Sequence, residues 1–248
     1  MGEEAEPAEP RAAFYAARPG GWQDWWTLLH PPYTAWNLAY AVIGACLAPV
    51  VNTTRLIATL LAFFLAVGVA AHALDELNGR PLRTHISKAA LLVASAIGLA
   101  GAVALGAIGV GEVGVALIPF IIIGPLLVVA YNFELFGGII HNTFGLAASW
   151  GAFPVLTGYV AQSGSLASAP AIAALAALFL TAVQRTLSTP ARLLRRRVAE
   201  VDGRLTLHDG SEIPLERTVL LAPLEQSLRA MSWGIIVVAA ALAVDRLH

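Results

Sequence analysis

Charge is scarce in this chain. Only 12% of its 248 residues are Asp, Glu, Lys or Arg, while 58% are hydrophobic, and an ordinary soluble domain carries about twice that charged share. A water-soluble fold is excluded, because the apolar residues run in long blocks instead of alternating with polar ones. Cysteine is nearly absent too. Cys46 stands alone inside an apolar run, which excludes disulfides within the chain, zinc fingers and Cys-x-x-C redox chemistry. The N-terminus, MGEEAEPAEP, lacks the basic start of a signal peptide, so sorting is expected from the first membrane span. With a net charge of -1 there is no global basic field, and nucleic acid is not an expected partner.

What is present is hydrocarbon. Blocks long enough to cross a bilayer, roughly 17 to 25 residues each, fall at 34–51, 56–75, 87–109, 113–131, 138–160, 167–187 and 230–246. The expected fold is therefore all-α, a polytopic bundle of about seven transmembrane helices. The stretch 219–229 is too short and too polar to span, and either lies at the interface or lengthens the last helix. Lys and Arg are retained on the cytoplasmic side of short loops. With the N-terminus inside, the inner segments hold Arg11, Arg18, Arg80, Arg83, Lys88 and the seven arginines from Arg185 to Arg217, against Arg55 and Arg246 outside. The expected location is the cell inner membrane, with a cytoplasmic N-terminus and membrane lipid as a partner.

Two segments break the pattern. In WQDWWTLLHPPY, Trp22, Trp25 and Trp26 share a helical face before Pro31-Pro32 stops the helix. This suits a helix lying in the headgroup layer or an aromatic belt beside the first span. In the insert 198–217, apolar residues alternate around Asp202-Gly203 and Asp209-Gly210, which predicts a small cytoplasmic β-hairpin. The expected organisation is an acidic tail and interfacial segment over 1–33, a six-span bundle over 34–197, the insert over 198–218, and an interfacial segment with the last span over 219–248.

Polar residues gather at the cytoplasmic ends of the second, fourth, fifth and sixth spans: His72, Asp75, Glu76, Asn78 and Arg80, then Tyr131, Asn132 and Glu134, then His141-Asn142, then Gln184-Arg185. Ionisable groups near hydrocarbon are costly unless paired or facing a wet cavity, so a polar pocket opening to the cytoplasm is expected. His72, Asp75 and Glu76 stand three and four positions apart and stack on one helical face.

The segment HALDELNGRPLRTHIS, with its Arg80-Pro81 and Ile86-Ser87, and the segment Tyr131 to Gly164, with WGAFPVLTGYVAQSG, together resemble the UbiA superfamily of intramembrane prenyltransferases over roughly residues 34–200. That family is helical, and Asp-rich motifs on the cytoplasmic loops after its second and sixth spans bind magnesium and an isoprenoid diphosphate. The resemblance implies catalytic roles for Asp75, Glu76 and Tyr131, with Asp75 and Glu76 holding magnesium. It places Arg80, Arg83 and Arg185 against the diphosphate, and Tyr131 and Asn132 on the side of an aromatic or lipid acceptor. The chain also departs from the pattern. Only Asp75 falls where the first motif places an aspartate, and after the sixth span QRTLSTPARLLRRR carries no carboxylate. Arginines bind diphosphate directly through bidentate hydrogen bonds, so Arg185 and Arg192 are candidates to replace the second motif. Arg192, Arg195, Arg196 and Arg197 equally fit as cations meeting anionic headgroups, the reading preferred for the RRR run.

Two other classes fit the same residues. A non-catalytic scaffold or lipid-binding protein would keep the architecture without its chemistry. A membrane metalloenzyme would use His72, Asp75, Glu76, Glu134 and His141 as a zinc or iron site.

Overall fold

The computed structural model describes residues 12–247; the acidic run Glu3 to Glu9 and Arg11 lie outside the described residues. The chain is largely helical. After a short helix α1 (Trp22–Leu28) and α2 (Pro31–Cys46), six helices are long and apolar enough to cross a membrane: α3 (Thr53–Leu77), α4 (Lys88–Val113), α5 (Val115–Asn132), α6 (Thr143–Ser163), α7 (Ser168–Arg196) and α8 (Arg217–Leu247). Large apolar side chains such as Ile97, Ile108, Ile122, Leu126, Ile172, Phe179 and Val237 face outward, which a bilayer tolerates and water does not.

Each expected span corresponds to one helix, with two corrections at the N-terminal end, while the stretch 219–229 takes the second of its two expected places. The first expected span, 34–51, is the 16-residue α2, shorter than the roughly 17 residues that hydrocarbon demands. It ends at Cys46, ahead of Pro49. Pro31-Pro32 ends one helix but also begins the next: both prolines occupy the first turn of α2, where a missing N–H costs nothing. The polar stretch 219–229 lengthens the last helix, so α8 starts at Arg217 and runs through Pro223.

Caps set several boundaries. The side chains of Asn52, Ser87 and Asn142 accept hydrogen bonds from the backbone N–H of Arg55, Ala90 and Gly145, opening α3, α4 and α6, as helix N-termini require. The bundle is tightest where α2 crosses α6. A Cβ on Gly44 would collide with the Val155 carbonyl, and one on Gly158 with the carbonyl of Ala41. Small residues thus bring the two backbones into direct contact, the usual source of helix association in lipid. Trp36 and Tyr40 of α2, Val155 of α6, and Ala174 and Ala177 of α7 form a buried cluster against which Met231 and Ile235 of α8 pack.

Two helices contain a wider, π-helical stretch: Phe64–Ala71 in α3 and Ala148–Ala152 in α6. The insert forms the expected hairpin, with strands β1 (Arg204–Thr206) and β2 (Glu212–Pro214) antiparallel and Leu205 opposite Ile213. Asp209-Gly210 lies in its turn. Asp202-Gly203 does not make a second turn between strands; it leads into β1, where the Gly203 carbonyl accepts from the Leu215 N–H.

Candidate functional site

At the end of the bundle where α3, α5 and α7 finish, a cavity of about 330 Å³ opens among all three. Each helix brings its last polar turn. α3 contributes His72 and Asp75, α5 contributes Tyr131 and Asn132, and α7 contributes Gln184, Arg185, Ser188, Arg192, Arg195 and Arg196. His141 and Trp150 close one side, and Glu225 of α8 reaches in from another. The expected polar pocket therefore exists, assembled from all four groups that the sequence brings to this end.

Charge in the cavity is unbalanced. Four arginines face two carboxylates, Asp75 and Glu225. Arg195 and Glu225 form a two-pronged ion pair, which consumes one charge of each sign. Arg185 donates to the Tyr131 hydroxyl at 2.5 Å, and Arg196 donates to the Ala12 carbonyl at 3.0 Å. Asp75 is half-buried in the wall, and no ion pair among the described residues includes it. Tyr131 is held flat, stacked on the His141 ring at 4.5 Å and 26°. Asn132 donates to the Val128 carbonyl at 2.7 Å, which leaves its side-chain oxygen as the group it offers the cavity.

Three expected site residues are elsewhere. Glu76 is fully buried. One of its oxygens accepts from the Leu82 N–H at 2.9 Å, the other from the N–H and hydroxyl of Thr84 at 2.8 and 2.9 Å. The chain after α3 folds back over Glu76 and turns it away from Asp75, so this carboxylate organises a loop instead of facing a metal. Arg80 and Arg83 adopt left-handed backbone conformations, with φ of 54° and 55°. The Arg80 guanidinium donates to the carbonyls of Thr84 and Ile86 at 3.1 and 2.6 Å, and Arg83 is exposed. Neither lines the cavity. Of the set considered for zinc or iron, His72, Asp75 and His141 line it, whereas Glu76 and the exposed Glu134 do not. Among the described residues, no group of three or more His, Cys, Asp or Glu converges closely enough to hold a metal ion.

Magnesium makes a smaller demand, since it is usually held by one or two carboxylates together with substrate phosphates and water. Asp75 meets that minimum; Glu76 and Glu225 are already engaged.

One further wall, which meets the arginines at the contact of Arg196 with Ala12, was not legible as part of the site. Residues 12–15 lie over the cavity together with His30 and Tyr33. The Tyr15 hydroxyl lies 2.7 Å from His30 Nδ1, and the His30 ring stacks on His72 at 4.3 Å and 14°. Burial, followed by the neighbouring His72, Arg196 and Arg192, holds His30 well below the ordinary imidazole range, so it is neutral near pH 7. Burial pushes the Tyr15 phenol far above its usual range.

A second cavity, of about 480 Å³, lies among α3, α4, α5 and α6. Its inner walls are apolar and include Val67, Gly106, Phe120, Val128 and Phe153, and its far mouth carries Asn52, Arg55 and Glu112.

No family model matches the chain, and no curated protein or solved structure shows significant similarity to it.

Proposed function

We propose that this protein is a UbiA-like membrane protein that binds an isoprenoid diphosphate, the head group seated among Arg185, Arg192 and Arg196 and the chain directed toward the apolar cavity. The supporting observation is the juxtaposition of an arginine-rich cavity with an apolar one of about 480 Å³, which matches an amphiphile with an anionic head. Arg185, Arg192 and Arg196 line the cavity from one helical face without a carboxylate partner among the described residues, which suits an anionic head group. The arginine and lysine asymmetry along the chain supports a cytoplasmic location for this end, where soluble isoprenoid diphosphates are found, and the inner membrane is the proposed site. On this reading the bundle crosses seven times, α2 crossing as a short helix shielded by its packing against α6 and α8.

In prenyl transfer, departure of diphosphate leaves an allylic cation. The site must then neutralise the leaving group and keep water from the cation. Arg185 and Arg192 take the first task, and residues 12–15 over the cavity take the second. Asp75 is the residue that would hold magnesium, whose chemistry is to offset diphosphate charge. Tyr131 and Asn132 face the acceptor.

A second reading is favoured by the fate of the carboxylates. Glu76 is spent on its loop and Glu225 on Arg195, so Asp75 alone serves a metal where the resembled family uses carboxylates on two loops. The protein is then a carrier or lipid-binding protein that holds the ligand without transferring its prenyl group.

Calorimetric titration of purified protein with geranylgeranyl diphosphate, with and without magnesium, tests the shared claim. Binding that magnesium strengthens in the parent but not in Asp75→Asn is the expected result; no binding in either condition overturns it. Turnover with a hydroxybenzoate or naphthoate acceptor separates the enzyme from the carrier.

A further inference from the structure

Among the described residues, one side chain lines both cavities, and it is Trp150. On the polar side its indole packs on Tyr131, ring centroids 4.7 Å apart and tilted by 56°. On the apolar side it packs against the buried clusters containing Phe63 and Val67 of α3 and Val128 of α5. A molecule with its head among the arginines and its tail in the apolar cavity must pass this ring.

The backbone holds the ring where it is. Trp150 lies in the π-helical stretch of α6, and such wide turns free carbonyls from the regular ladder and recur at functional sites. The carbonyl of Trp150 accepts a hydrogen bond from Asn37 Nδ2 of α2 at 2.9 Å. Asn37 is buried, and its own Oδ1 has no partner among the described residues. On the other side α7 presses close, since a Cβ on Gly151 would stand 2.6 Å from both the Ala177 carbonyl and the Thr181 hydroxyl. With α2 tethering the turn and α7 blocking its retreat, the indole stays put. Across from it, the π-helical stretch of α3 bridges the two cavities as well, with Val67 in the apolar wall and Ala71 in the polar one.

We infer that Trp150 is the specificity-determining residue for the hydrocarbon part of the ligand, and that Asn37 is a positioning residue that fixes the indole. This rests on the diphosphate-binding reading and narrows it. A passage beside a pinned indole admits one slender apolar chain, so the ligand is a single-chain prenyl diphosphate and not a diacyl lipid with a phosphate head.

The test uses the full chain in detergent, titrated with inorganic diphosphate, dimethylallyl diphosphate, geranylgeranyl diphosphate and dioleoyl phosphatidate. Trp150→Ala is expected to raise the affinity for geranylgeranyl over dimethylallyl diphosphate by about tenfold or more, since each additional buried methylene adds favourable transfer energy. Inorganic diphosphate, titrated alongside, reports whether the head site of each variant still binds the anion, and the ratio of the two prenyl diphosphates reports the tail alone. Asn37→Leu keeps the indole but frees its turn, and should move the same ratio in the same direction by a smaller factor. Should Trp150→Ala fail to fold, Trp150→Phe and Asn37→Leu carry the measurement. An unchanged ratio in protein that still binds inorganic diphosphate overturns the role of Trp150. Phosphatidate binding as tight as geranylgeranyl diphosphate overturns the single-chain assignment. A parent that binds neither inorganic nor prenyl diphosphate overturns the underlying reading, and the inference with it.

Discussion

Arg185 and Tyr131 meet across the polar cavity, the guanidinium of α7 donating to the phenol oxygen of α5 at 2.5 Å. The contact holds a cation toward the cavity and gives the phenol a fixed direction. Arg185→Gln removes one charged donor, and a hydrogen bond to a charged group is worth about 1.5–3 kcal/mol. Diphosphate affinity should therefore fall by about tenfold to a hundredfold. Tyr131→Phe leaves the guanidinium in place without its phenol acceptor and should hold or improve that affinity. Titration of both variants with inorganic diphosphate checks this, and an equal loss in both would put the phenol itself on the anion.

Glu76 and Asp75 are neighbours in sequence with different work. Removing the Glu76 carboxylate strands two buried N–H groups and a hydroxyl. Glu76→Ala should cost about 3–5 kcal/mol of stability and expose the loop 78–86 to protease. Asp75→Asn should leave the melting temperature nearly unchanged while removing the response to magnesium. Thermal unfolding in detergent separates them; equal destabilisation would show that Asp75 is structural as well.

At the crossing of α2 and α6, Gly158→Ala drives a methyl into the Ala41 carbonyl. Overpacking of this kind costs about 1–3 kcal/mol. Gly234→Ala, on α8 with nothing within 4 Å of its added Cβ, should be neutral or stabilising by up to about 1 kcal/mol, because alanine is the better helix former. Melting temperatures of the two variants should move in opposite directions or differ clearly in size.

His30 makes stability depend on acid. Its folded form resists protonation, whereas the unfolded chain takes up a proton near the ordinary value of 6.5. The unfolded state therefore binds more protons below that pH. The stability contribution is complete above 6.5 and is lost as pH falls, with a limiting slope of about 1.4 kcal/mol per pH unit. Melting curves between about pH 8 and about pH 5 should show the decline. His30→Asn should lessen it, since asparagine removes this imidazole and tolerates the left-handed backbone (φ 46°) found there. A parent curve already flat over that interval would contradict the burial of this imidazole.

The helices were legible because each apolar block exceeds or nearly reaches a membrane thickness, and the polar pocket because its members sit at matching ends of alternate spans. What escaped was where helices end and where the chain doubles back. The expected sixth span stopped at 187, so the RRR run read as headgroup contact. In fact α7 stays helical through Pro190 to Arg196, and residues 185, 188, 192, 195 and 196 recur at spacings of three and four along one face. That periodicity was visible in the sequence, and following it past the proline would have joined Arg195 and Arg196 to Arg185 and Arg192 in the cavity, leaving Arg197 outside. Glu76 could not be assigned this way. Its helical position is right for the pocket, and only the fold-back of residues 82–84 claims its oxygens. His30 and Tyr15 were hidden for a similar reason, since their contacts are with residues distant in sequence or across an irregular segment.

The buried carboxylate of Asp24 accepts from the N–H of Gly20 with one oxygen and from that of His85 with the other, both at 3.0 Å. It moors the tryptophan-bearing α1, with Trp22, Trp25 and Trp26 exposed, to the loop that Glu76 organises. One carboxylate thus fastens the start of α1 to the loop after α3, two stretches about sixty residues apart in sequence. Loss of Asp24 would release both ends of that strap together, and the loop that Glu76 organises would keep only its own internal hydrogen bonds.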